Sequence, residues 1–276
     1  MATDATRRGC GKCRVERLRA MRAPTITCGI IGVGHLIQHM MPGLLKADAR
    51  FLLSARNREV ATGLAGSHGL EIVEANQEIV DRSDLVILAV RPFHAVEAMR
   101  PLRFRSDHIV LSFCAGVPPS ALAPVVAPAR LVMAMPVVAA AYGESPTLLF
   151  PDNPSCRALL EPCGPVIALA EATQFAPASV IACYFGWVHE LISGMIDWTA
   201  SQGLDRAAAR LLVAQMTRAA ATIIRERTDA APAQLLAELA TPRSFTLAGL
   251  EDLRRNHAFE AWPEAATRLA ERLKGT

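Results

Sequence analysis

Ile26-Thr27-Cys28-Gly29-Ile30-Ile31-Gly32-Val33-Gly34 decides the fold. The run up to Ile31 is apolar without alternation, which reads as a strand buried on both faces. Two glycines follow at once, and a helix is expected from about Gly34 to Lys46. Working outward, Phe51–Ser54, Glu71–Val73, Leu85–Val90, His108–Phe113 and Leu131–Met135 read as further strands, with a helix at Asn57–Ser67 and helical or turn segments between the rest. Strands alternating with short helices imply right-handed βαβ units and a parallel sheet. Thr147–Phe150 and Val166–Ala170, around a helix near Pro154–Cys163, extend it. From about Ala176 the alternation stops and apolar residues recur at helical spacing, as in Leu191, Met195 and Trp198, then Ala208, Leu211, Leu212 and Met216. The fold class is therefore α/β: a Rossmann-like dinucleotide-binding domain over 24–175, then an all-α domain over 176–276. The first helix of that second half is apolar nearly all round, which points to burial against a second subunit.

Composition narrows the function classes. The chain has 276 residues, 51% apolar and 20% charged, with a mean hydropathy of +0.25, which excludes a disordered or collagen-like chain. The net charge is +3, but residues 1–23 alone carry +5, so the remainder is −2 and offers no basic surface for nucleic acid. The basic segment, residues 1–23, is expected to be a disordered tail, with Met21 as an alternative start. The run from Ala178 to Val188 stops at His189–Glu190, short of the ~20 residues a membrane span needs, so no membrane is expected. Seven cysteines preclude a complete disulfide set, and Cys10-Gly-Lys-Cys13 has no second pair to complete a metal site. No metal is expected, and the setting is reducing and cytoplasmic.

The glycine pair has the physics of a dinucleotide site. Gly32 makes the tight turn, and Gly34 lets backbone N–H groups approach a pyrophosphate at the helix start. Ile37 occupies the third small position of that pattern. About 20 residues on, where an NAD site carries an acid for the ribose, the chain has Ser54-Ala55-Arg56-Asn57-Arg58. A hydroxyl and a guanidinium suit a 2′-phosphate, which makes NADPH the expected cofactor, with Arg58 more the bystander than Arg56.

From about Thr25 to the C-terminus the chain resembles the pyrroline-5-carboxylate reductase family. The matching pieces are Ile31-Gly32-Val33-Gly34-His35-Leu36, Ser54-Ala55-Arg56, Ala89-Val90-Arg91-Pro92, Ala115-Gly116-Val117 and Val132-Met133-Ala134-Met135-Pro136, then Gly203-Leu204-Asp205-Arg206 and Thr241-Pro242 to Thr246. The resemblance implies NADPH-dependent reduction of a cyclic imine and a helical domain that intertwines into a homodimer. It also implies a cofactor site that includes Gly32, Gly34, His35, Leu36, Ser54, Arg56, Ala89, Val90, Arg91, Pro92, Ala115 and Gly116, with Asn76 near the adenosine. His35 stands where the family has asparagine, and three readings are open: a phosphate contact, an approach to the nicotinamide, or a capped loop histidine.

The departures gather where substrate binds. The family's Ser-Gly-Ser-Gly-Pro-Ala-Tyr is here Ile181-Ala182-Cys183-Tyr184-Phe185-Gly186-Trp187, and Met-Pro-Asn-Thr-Pro is Met135-Pro136-Val137-Val138-Ala139. Ser-Pro-Gly-Gly-Thr-Thr is Thr241-Pro242-Arg243-Ser244-Phe245-Thr246. Glycines let backbone donors close on a ring carboxylate, and large side chains prevent it. The expectation is reduction of a C=N bond in a bulkier substrate. The alternatives are a ketone or β-dicarbonyl reductase of the same fold and a non-catalytic NADPH-binding sensor or partner subunit. Met135, Pro136 and Arg243 are the substrate candidates, Arg243 as a carboxylate anchor or a plain exposed arginine. For catalysis, Thr246 can hydrogen-bond the accepting atom. Tyr184 is either a proton donor or a packed aromatic, and His189, at helical spacing from Ser193 and Asp197, is part of an acid relay or of a polar stripe.

Overall fold

The computed structural model describes residues 26–274. The tail over 1–23, with Cys10, Cys13 and Met21, lies outside the described residues. The chain divides into two compact units, the first ending at Phe175 and the second beginning at Ala176.

The first unit is an eight-stranded sheet: β1 (Ile26–Ile31), β2 (Ala49–Ser54), β3 (Glu71–Val73), β4 (Leu85–Leu88), β5 (Ile109–Ser112), β6 (Arg130–Met135), β7 (Thr147–Phe150) and β8 (Val166–Ala168). Their order is β3-β2-β1-β4-β5-β6-β7-β8. Strand β1 sits between β2 and β4, parallel to both, so its two neighbours cover both edges and helices must cover both faces. The side-chain alternation shows this. Cys28 and Ile30 point with Leu53, Ile87, Leu111 and Val132 into one core, while Ile31 points with Leu52, Leu88, Val110 and Met133 into the other. Each such fully buried aliphatic side chain contributes about 1.5–3 kcal/mol.

Helices α1 (His35–Leu44), α2 (Arg58–His68), α3 (Asn76–Asp81), α4 (Ala95–Met99), α5 (Pro119–Val126) and α6 (Pro154–Leu160) fill the connections. The sheet departs from the all-parallel expectation at one place: β7 runs antiparallel to β6, with Met133 opposite Phe150. The link between them holds only a five-residue 3-10 turn, Val138–Tyr142, too little to carry the chain back across the sheet. Helix α6, capped by the Asn153 side chain on Cys156 N–H, then restores a parallel β8.

The second unit is helical: α7 (Phe175–Ser201), α8 (Arg206–Glu226), α9 (Pro232–Leu239), α10 (Phe245–Arg255) and α11 (Ala261–Lys274). Asp205 caps α8 by accepting from the N–H groups of Ala207 and Ala208. Among the described residues only Ser179, Val180, Ala209 and Leu235 of this unit are buried, and Leu191, Trp198, Leu211, Met216 and Leu239 are exposed. The expectation that no segment reaches a membrane-spanning length needs correction. The helical stretch Ala172–Ser201 is long and apolar enough by length and composition, with a mean hydropathy of 1.3. The helix simply continues through His189–Glu190, because a polar pair on one face does not end a helix.

Candidate cofactor and active site

Because β1, β4, β5 and β6 run in one direction, their carboxyl ends share an edge of the sheet. The chain order reverses between β1 and β4, where an open α/β sheet has its crevice. A cleft of about 380 Å³ lies there, lined by Gly32, Val33, Gly34, Arg56, Asn57, Ala89, Val90, Arg91 and His94.

The glycine turn has the shape a pyrophosphate needs. Gly32 has φ +98°, and a Cβ on it would lie 2.6 Å from the Val90 N, so glycine is required twice over. A Cβ on Gly34 would meet nothing within 4 Å, which is free space at the mouth of α1. The first i→i−4 bond of α1 is Gln38 N–H to Gly34 O, and no side chain caps the helix. The N–H groups of His35, Leu36 and Ile37 therefore precede the helical ladder, at the positive end of its dipole. These features fit a dinucleotide phosphate.

Ser54 has a different job from the one its sequence position implied. It is 1% exposed, and its Oγ accepts from Gly32 N–H at 3.0 Å, so it props the glycine turn from beneath instead of standing open to a 2′-phosphate. The two arginines that follow separate cleanly. Arg58 is tied to Glu74 at 2.7 Å, whereas Arg56 is exposed on the cleft wall and makes no ion pair among the described residues. Among the described residues no carboxylate lines the cleft.

The remaining cofactor candidates divide. Ala89, Val90 and Arg91 line the cleft with the glycines. Leu36 packs its side chain against the core, leaving only its backbone at the helix start. His35 lies outside the lining, exposed, with its ring tilted 4.2 Å from that of His39, whose Nδ1 donates to His35 O. Asn76, Pro92, Ala115 and Gly116 also lie outside the lining, Ala115 and Gly116 just beyond the carboxyl end of β5. Beside them Cys114 donates its thiol to Val90 O at 3.4 Å, and burial pushes its pKa up to about 11, so it is an inert strut. Met135 and Pro136, at the end of β6, are buried in the first unit, so their side chains offer no open face there. Reading the sequence missed Val33, Asn57 and His94 as lining residues. The signal for His94 was its place three residues after Arg91, where His94 N–H donates to Arg91 O and closes a turn.

The catalytic candidates all belong to the helical unit. Tyr184 is 45% exposed, with its ring edge-on to Trp262 at 5.7 Å and to Trp187 at 6.5 Å. The acid relay does not form: His189 Nδ1 donates to Phe185 O at 2.8 Å, and Asp197 is ion-paired with Arg206 at 2.9 Å. Thr246 lies exposed in the first turn of α10, after Ser244, which caps Leu247 N–H. Its hydroxyl makes no hydrogen bond among the described residues. Arg243 has φ 68°, a left-handed backbone uncommon outside glycine, at the position where the family motif has glycine. The described residues hold no group of three or more metal-ligating side chains.

Known proteins match this organisation over nearly the whole chain. Residues 172–276 match the family model described as pyrroline-5-carboxylate reductase dimerisation, and 27–116 match that described as NADP oxidoreductase, coenzyme F420-dependent. A pyrroline-5-carboxylate reductase of Methanosarcina acetivorans is 26% identical, over 89% of this chain and 96% of its own length. One from Pseudomonas aeruginosa is also 26% identical, over 91% and 95%. Among solved structures, the Streptococcus pyogenes pyrroline-5-carboxylate reductase superposes with a TM-score of 0.81 at 23% identity, covering 91% of this chain and 99% of that one. The Plasmodium falciparum pyrroline carboxylate reductase with NADP bound also gives 0.81, at 20% identity, over 92% and 99%.

Proposed function

The chain belongs to the pyrroline-5-carboxylate reductase family, and from that premise we propose that it is an NADPH-dependent reductase of a C=N bond whose substrate is bulkier than pyrroline-5-carboxylate. One observation carries the cofactor reading: at the end of β2 an unpaired Arg56 faces the glycine cleft, with no carboxylate to bind a free ribose hydroxyl.

Bound NADPH would supply the hydride, which adds to the carbon of the C=N bond while a proton goes to the nitrogen. The chain's own residues hold and orient. The turn Gly32–Gly34 and the start of α1 take the pyrophosphate, and Arg56 forks onto the 2′-phosphate. Thr246 hydrogen-bonds the accepting nitrogen through a hydroxyl that has no hydrogen-bond partner among the described residues. Arg243 replaces the lost backbone donors as the anchor for an anionic group on the substrate, which gives its strained backbone a purpose. Tyr184, edge-on to Trp187 and Trp262, serves as a wall of the helical unit, and the substrate's bulk is the counterpart of the glycines lost from Ile181–Trp187. The working form is a cytoplasmic homodimer built through the helical unit, in line with the dimerisation match and the exposed apolar residues of α7 and α8.

NADPH absorbance followed against pyrroline-5-carboxylate and a panel of larger cyclic imines and ketones tests this. Oxidation with a larger imine, and little with pyrroline-5-carboxylate, is the expected result. Preference for a ketone overturns the C=N reading, and tight NADPH binding without turnover on any member overturns the enzyme reading in favour of a sensor.

A further inference from the structure

We propose that His94 is a second selector for the 2′-phosphate, closing the anion site from the β4 side while Arg56 closes it from the β2 side. The inference rests on the NADPH reading above. Strands β2 and β4 flank β1, so the segments that follow them form two walls with the glycine turn between. Arg56 and Asn57 come from one wall, Arg91 and His94 from the other, and all four line the same cleft.

The geometry holds the imidazole ready for an anion. Arg91 O accepts from His94 N–H at 2.9 Å, a turn that brings both side chains to the lining. The Phe93 ring packs against His94 with centroids 4.2 Å apart, which restrains its plane. His94 Nδ1 lies 3.6 Å from a Glu97 carboxylate oxygen, so that edge of the ring is turned to Glu97. Nε2 has no hydrogen-bond partner among the described residues and is the atom left for a ligand. The charged groups around it are Arg91 and Arg56 in the lining and Glu97 behind it. Two guanidinium groups face one cleft with no carboxylate among its described lining residues, so an anion between them relieves their repulsion, and the imidazole edge offers it a further hydrogen bond. The pyrophosphate at the glycine turn meets part of that need, and beside Arg56 a ribose hydroxyl adds no charge to it whereas a 2′-phosphate does.

Calorimetric titration of the full chain with adenosine 2′,5′-bisphosphate and with adenosine 5′-monophosphate isolates the 2′-phosphate from the rest of the cofactor. The wild type should prefer the bisphosphate. His94→Ala and the size-conserving His94→Gln should each narrow that preference about tenfold, the scale of one charge-assisted hydrogen bond, while leaving the monophosphate unaffected. His94→Lys should restore it. An unchanged preference in both variants overturns the inference, as does an equal loss for the two ligands, which would make His94 a packing residue for the adenosine. A wild type without preference overturns the NADPH reading and this inference together. A preference lost in Arg56→Ala but kept in both neutral His94 variants overturns the His94 inference alone.

Discussion

The two units solve the problem of burying apolar surface in opposite ways. The sheet unit closes two cores on itself, one on each face, and leaves the cleft at the carboxyl ends of its strands open for a ligand. Among the described apolar residues of the helical unit only Val180, Ala209 and Leu235 are buried, and the others are half-buried or exposed. A groove of about 540 Å³ between α7 and α11, lined by Trp187, Leu191, Met195 and Trp262, adds to that open surface. A domain with so little core of its own cannot offset the entropy of ordering five helices. The cofactor half carries its own core, and the helical half carries the apolar surface that the proposed homodimer would cover.

The most drastic way to break that contrast is to charge the exposed stripe of α8. Leu212 and Met216 lie one turn apart on it, 45% and 65% exposed. The double change Leu212→Glu, Met216→Glu would place two unpaired carboxylates in the subunit contact. Light scattering should then show the mass fall from dimer to monomer, with the thermal transition of the helical unit lost. NADPH binding should persist, because every residue of the cleft belongs to the sheet unit. An unchanged mass would move the dimer contact elsewhere.

Arg56→Ala sharpens the other half. Losing a charge-assisted fork should weaken NADPH by about 10–100-fold and leave NADH nearly untouched. Equal losses would mean that Arg56 supports the cleft wall and does not read the 2′-phosphate. The same titration with Arg58→Ala should show little, since that side chain is spent on an exposed ion pair with Glu74.

A smaller effect, with two parts of opposite sign, is expected at Arg243. Its left-handed backbone stores of order 1 kcal/mol, so Arg243→Gly should raise the stability of the helical unit by about that much. If the side chain anchors the substrate, KM should rise while NADPH affinity stays the same. Greater stability with KM unchanged would leave the strain without a function.

Much of this contrast was legible in the sequence. Ile26–Ile31, Glu71–Val73 and Thr147–Phe150 were legible to the residue, because a short, mostly apolar run between turn residues leaves little choice of strand limits. The antiparallel β7 was not legible, since periodicity reports which faces are buried and carries no strand direction. Arg56 was separable from Arg58 only in part. Its freedom depends on Glu74 taking Arg58, a contact set by the pairing of β2 with β3. Ser54 was misread for a similar reason: a hydroxyl at the right spacing says nothing of whether it faces the ligand or the backbone N–H beneath it. Among the catalytic candidates, helical spacing put His189 and Asp197 on one face but could not foresee that each would be satisfied by a nearer partner.

The smallest effect tests the self-sufficiency of the sheet unit from within, at its far end from the cleft. His108 is 1% exposed, its Nδ1 accepts from Arg105 N–H, and its Nε2 has no partner. Burial and the neighbouring Arg105 hold its pKa below the ordinary histidine value, against smaller opposing pulls from Asp107, Asp81 and Asp84. The folded chain therefore takes up this proton less readily than the unfolded chain. The stability contributed by the neutral ring is complete above the ordinary pKa and is lost as the pH falls below it, until the folded form also protonates. Denaturant midpoints between pH 5 and 7.5 should rise with pH by no more than one proton's worth, about 1.4 kcal/mol per pH unit. His108→Gln should flatten that slope without altering NADPH affinity. A slope that survives the substitution would place the pH sensitivity in another group, and a change in NADPH affinity would show that the two ends of the sheet are coupled after all.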